Sequence, residues 1–102
     1  MPDTSDLLVI EVIDGGLRLS GEIDASCIEL LSSHLNPLPG STGDVSIHLG
    51  NIVFIDSSGL RELIDAHQHA EQVGRRVLMT APSAVVTRMF EIAGLSQILH
   101  IV

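Results

Sequence analysis

The 102-residue sequence has no lysine, no tryptophan and no tyrosine, and it has a single cysteine, Cys27. Each shortage removes a class of function. One cysteine cannot close an intrachain disulfide, and the opening MPDTSD lacks the basic-then-apolar order of a secretory signal, so a reducing cytoplasm is the expected location. Aromatic residues make up 2% of the chain, which removes the stacking platforms that single-stranded nucleic-acid binders use. No apolar run approaches the ~20 residues needed to span a bilayer. Thirteen acidic residues against five arginines give a formal net charge of −8, so a nucleic-acid duplex or an anionic membrane would repel the chain, and neither is an expected partner.

What remains is a chain that is 45% hydrophobic, too apolar for disorder, whose core must be built from branched aliphatics. At this length it forms one domain over residues 1–102, with an ordered core from about 7 to 102 that buries roughly 65% of the unfolded surface.

Leu7 to Ile13 is an aliphatic run ended by Asp14-Gly15-Gly16, and Leu17, Leu19 and Ile23 follow at even spacing; together they predict a β-hairpin. From Asp24 to Asn36 the period lengthens to that of a helix, with Cys27, Ile28, Leu31 and Leu35 on the apolar face and Ser26 and Glu29 at capping-box spacing. Pro37, Pro39 and Gly40 end it. Val45, Ile47 and Leu49 alternate as a strand, and a more irregular stretch, Ile52 to Ile55, leads into Asp56. The next helix is the clearest, with Leu63, Ile64, Ala66, His67, Ala70 and Val73 on one side and Gly74 as its stop. Arg76 to Thr80 is a short strand, a third helix turns Val86, Met89, Phe90 and Ala93 inward, and Ile98 to Val102 forms a last strand. The order ββαβαβα plus a final β predicts an α/β domain with a mixed, mostly parallel sheet.

Chemistry concentrates at Asp56-Ser57-Ser58-Gly59, immediately before the best helix. A helix N-terminus offers unpaired N–H groups and partial positive charge, so a phosphate on either serine would be stabilised there, and Gly59 would let a partner approach closely. In the simplest structural role Asp56 or a serine is the N-cap, with Ile55 and Leu60 as a hydrophobic staple. Asp24 turns the chain into the first helix. His67 and His69 project to different sides of a helix and cannot share a metal ion; His67 is expected in the core, with Asp65 and His69 as a solvated pair, and no metal is assigned. The pattern Gly-x-Ser-x-Gly of serine hydrolases is missing. Cys27 lies on an apolar helix face with no basic neighbour and is expected to be inert.

Gly21-Glu22-Ile23-Asp24, Ile55-Asp56-Ser57-Ser58-Gly59-Leu60, Gly74-Arg75-Arg76 leading to Val77, and Phe90-Glu91-Ile92-Ala93-Gly94-Leu95 together resemble the STAS domains of bacterial anti-sigma factor antagonists, over residues 7–102. The resemblance implies a non-enzymatic binding module. It makes Ser57 the phosphoacceptor, with Ser58 as runner-up, for an anti-sigma factor that is itself a serine kinase and that the unphosphorylated form sequesters. Asp24, Asp56, Ser57, Ser58, Gly59, Arg61 and Glu62 would form the partner surface. ATP and magnesium would belong to the kinase, and this chain would carry no cofactor. The alternative is a non-phosphorylated STAS adaptor subunit of a transporter or stress-signalling assembly. Members commonly continue into another helix, whereas this sequence stops at Val102, so the aliphatic Ile98, Leu99, Ile101 and Val102 are expected to leave an apolar gap and permit weak homodimerisation.

Overall fold

In the computed structural model, which describes residues 2–5 and 7–102, a single sheet contains β1 (Asp3–Ser5), β2 (Leu8–Ile13), β3 (Gly16–Ile23), β4 (Val45–Ile55), β5 (Val77–Thr80) and β6 (His100–Ile101), hydrogen-bonded in chain order. The first three strands are antiparallel and the rest are parallel. Helices α1 (Ile28–Leu35), α2 (Ser57–Gln72) and α3 (Ala84–Ile92) make the three parallel crossovers. All three crossovers step the same way along the sheet, so right-handed connections put the helices on one face. Burial agrees: Leu17, Leu19, Val45, Ile47, Leu49, Val77 and Met79 are buried, while the intervening Arg18, Ser20, Ser46, His48, Leu78 and Thr80 are half-buried. The expected mixed α/β architecture is therefore present.

Several local expectations are corrected. Strand β1 precedes the expected ordered core and pairs with β2 from Asp3↔Ile10 to Ser5↔Leu8. The strand expected to stop at Leu49 continues unbroken through Ile55. Its inward residues shift to every third position, Leu49, Ile52 and Ile55, and its pairing with β3 shifts register between Arg18 and Ser20 and again between Gly21 and Glu22. Such irregularities break period-2 alternation without ending a strand. The first helix opens as a 3-10 turn, Ala25–Cys27, capped by Asp24 and not by the Ser26–Glu29 box. The Asp24 carboxylate takes both the Ser26 N–H at 2.9 Å and the Ser26 hydroxyl at 2.6 Å, which uses up the serine. Val73 and Ala93, expected inward, cap the C-termini of α2 and α3 and are exposed. The last strand is confined to His100–Ile101; Leu99 is buried, whereas Ile98, Ile101 and Val102 are exposed.

Two long-range connections hold the segments between elements. Arg75 spreads its guanidinium over the stretch before β4, donating to the carbonyls of Pro39 (2.6 Å), Gly43 (2.9 Å) and Gly40 (3.3 Å). At the other end of β5, Ala81 has a left-handed φ of 48°, and its N–H donates to the Val102 carbonyl at 2.9 Å while the Val102 N–H donates to Met79 at 3.0 Å. Phe90 projects from α3 into the core and is 1% exposed. Truncating it leaves a cavity that the surrounding aliphatics fill only in part, so Phe90→Ala is expected to cost about 3–5 kcal/mol, measured as a lower urea midpoint with an unchanged m-value.

Candidate functional site

Ile23 and Ile55 are partners in the parallel β3–β4 ladder, so the two strands leave the sheet side by side. The next residue of each, Asp24 and Asp56, caps the helical segment that follows. The Asp56 N–H donates to the Ile23 carbonyl at 3.1 Å, joining the two exits. Asp56 is extended, with φ −104° and ψ −174°, and its Oδ1 accepts the Gly59 N–H at 3.1 Å. This is an N-cap with Ile55 and Leu60, both buried, at the staple positions on either side. Ser57 is the first residue of α2 and is exposed, whereas Ser58 is half-buried.

Gly59 departs from expectation. It is buried, and a Cβ there would lie 2.6 Å from Ile23 Cγ2 and 2.8 Å from Ile55 Cγ1. Its missing side chain admits the first turn of α2 onto the ends of β3 and β4 and offers no surface to a partner. Gly59 contributes to the site by positioning Ser57 and Ser58.

An open depression of about 930 Å³ runs along the first half of α2. Ser57, Ser58, Arg61 and Glu62 line it, with Ala25 and Ile28 from the α1 side and Ala93 and Leu95 beyond α3. The fold thus brings together four of the expected surface residues. Asp24 and Asp56 stand at the adjoining strand ends, their carboxylates already engaged in caps. The apolar lining was not legible in advance, because Ile28 and Ala93 fit a helix-core pattern equally well. Arg61 has no salt-bridge partner among the described residues. Cys27 is buried beside the site with its thiol donating to the Asp24 carbonyl at 3.2 Å. Burial, reinforced by the charges of Asp24 and Asp56, pushes that thiol above its ordinary pKa and keeps it protonated. Asp65 and His69 form no ion pair among the described residues.

The capped α2 rising from the paired ends of β3 and β4 agrees with comparison to known proteins. A family model described as "Mlab, STAS domain" matches residues 8–101. The chain belongs to the STAS domain family. STAS domains are non-catalytic regulatory and binding modules. This STAS domain is 27% identical over 86 residues to the anti-sigma-B factor antagonist of Staphylococcus aureus (strain NCTC 8325 / PS 47), covering 83% of this chain and 80% of that protein. The protein of the same name from Staphylococcus epidermidis matches to the same extent. The fold is similar to that of the unphosphorylated anti-sigma factor antagonist SpoIIAA, with a TM-score of 0.73 and 22% identity over 93% of this chain and 87% of the other. It is also similar to an anti-sigma factor antagonist from Mycobacterium paratuberculosis, with a TM-score of 0.75 and 21% identity over 92% and 82%.

The geometry separates two kinds of contribution to the site. Gly59→Ala is expected to destabilise the domain by about 1–3 kcal/mol because an added methyl overpacks Ile23 and Ile55. Asp56→Ala is expected to cost about 0.5–2 kcal/mol through loss of the cap. Ser57→Ala, at an exposed position, should stay within about 0.5 kcal/mol of the parent. Chemical denaturation of the three variants checks this order.

Proposed function

We propose that this STAS domain is an anti-sigma factor antagonist that works in the cytoplasm as a phosphorylatable binding module. Unphosphorylated, it sequesters an anti-sigma factor that is a serine kinase and so frees a sigma factor; phosphorylation of Ser57 by that kinase ends the complex. The observation that carries this reading is the exposed Ser57 at the first position of α2, on the rim of the depression. The half-buried Ser58 is the less accessible acceptor.

The chemistry asks little of this chain. The Ser57 hydroxyl attacks the γ-phosphorus of ATP held by the kinase, the bond to ADP breaks, and the hydroxyl proton is lost to the kinase's base. The α2 N-terminus supports the resulting anion through its free N–H groups and dipole. The added charge of about −1.5 to −2 stands beside Asp56, so a surface matched to a neutral hydroxyl loses its partner through repulsion and desolvation.

Incubation with candidate anti-sigma factors and ATP, followed by phosphate mapping by mass spectrometry, tests the assignment. Ser57→Ala is expected to retain kinase binding and incorporate no phosphate, and Ser57→Asp to bind about tenfold more weakly or worse. Wild-type incorporation in Ser57→Ala would move the acceptor to Ser58 or remove the mechanism. Amide spectra of the two forms should differ only near Asp56 to Glu62, since the helix end is already built for an anion; shifts spread over the sheet would contradict local control.

A second reading is a constitutive adaptor subunit of a transporter or stress-signalling assembly. The apolar lining by Ala25, Ile28, Ala93 and Leu95 favours it, because such a surface serves docking with or without phosphate transfer. A stable complex that never incorporates phosphate would distinguish it.

A further inference from the structure

At the other end of α2 a different chemistry is assembled. His67 and Glu71 are four residues apart and share one edge of the helix. The fold brings His100, the first residue of β6, against them: His100 Nε2 lies 2.9 Å from Glu71 Oε1, and the two imidazole centroids are 5.3 Å apart. One ligand atom from each of the three residues lies within 4.8 Å of the others.

His67 is the unexpected member. It is 8% exposed, and its Nδ1 is buried without a hydrogen-bond partner. Packing alone does not account for a histidine there, since a buried polar atom left unpaired is unfavourable and an apolar side chain would avoid it. We infer that His67, Glu71 and His100 form a binding site for one zinc-like divalent transition-metal ion, which ties β6 to the last turns of α2.

The donor set of two imidazoles and a carboxylate suits zinc, with water completing a tetrahedron. Bonds of about 2.0–2.2 Å place tetrahedral ligand atoms roughly 3.3–3.6 Å apart, within reach of side-chain rotation from the present arrangement. Glu71 and His100 are partly exposed, which gives the ion a route from solvent. The other charged neighbours, Arg76 and Asp44, are paired at 2.8 Å, so Glu71 leaves the pocket negative. Glu71 lies fourteen helical steps beyond Ser57, about 21 Å at 1.5 Å per residue, so this site does not depend on the phosphorylation reading.

The test is titration of zinc into the full chain by calorimetry and by competition with a chromophoric chelator, with cobalt(II) as a spectroscopic stand-in. Expected are one ion per chain, visible cobalt bands of four-coordinate intensity, a raised Tm, and affinity that falls as acid protonates the histidines. His100→Gln and Glu71→Gln, both at partly exposed positions, should each weaken binding about 100-fold or more, since loss of a supporting group alone costs 10–100-fold. His69→Gln, on the exposed side of the same helix, should leave affinity unchanged. Absence of one-to-one binding, or equal affinity in the wild type and the His100 and Glu71 variants, would overturn the assignment.

Discussion

The contact on which the functional end rests is the seat of Gly59 on Ile23 and Ile55. Because those isoleucines are paired, β3 and β4 end level, and the residues that follow can serve as adjacent caps. Because Gly59 has no side chain, the first turn of α2 lies directly on both strand ends. Asp56 then spans from the Ile23 carbonyl to the Gly59 N–H, which fixes the helix axis and leaves Ser57 facing outward. The serine's exposure is a consequence of core packing one turn away.

The elements that carry the site were largely legible because their signals are local. The apolar stripe of α2, its Asp56 cap and the glycine turns each follow from neighbours within a few residues. What escaped was set across the sheet. The continuation of β4 through Gly50 and Asn51 depends on register shifts with β3, which blur alternation without ending the strand. Gly59 beside two serines fits an approach site and a packing site equally well, and only its burial against Ile23 and Ile55 decides. The Ser26–Glu29 spacing lost to Asp24, whose carboxylate can take both the N–H and the hydroxyl of Ser26. His67 and Glu71 have ligand spacing in the sequence, but His100 joins them across 29 residues.

Charge is distributed with similar economy. Arg18 pairs with Glu11, Arg76 with Asp44, and Arg75 serves backbone carbonyls, so three of the five arginines are committed to local structure. Helix α2 therefore stands in a strongly acidic molecule with opposite ends suited to opposite ions. Its N-terminus favours an anion through free N–H groups, and its C-terminal turns, with partial negative charge and Glu71, favour a cation. On the two readings proposed above, one helix would serve phosphate at its N-terminus and metal near its C-terminus.

The closing link of the sheet is made by main-chain atoms. Ala81 gives its N–H to Val102, Val102 gives its own to Met79, and the Val102 side chain remains outside the core. A residue held in this way is indifferent to which side chain it carries but sensitive to deletion. Evolution or engineering can therefore rewrite the side chain at position 102 at little cost. Deleting that single residue removes two hydrogen bonds and leaves the left-handed turn at Ala81 without the pairing that holds it.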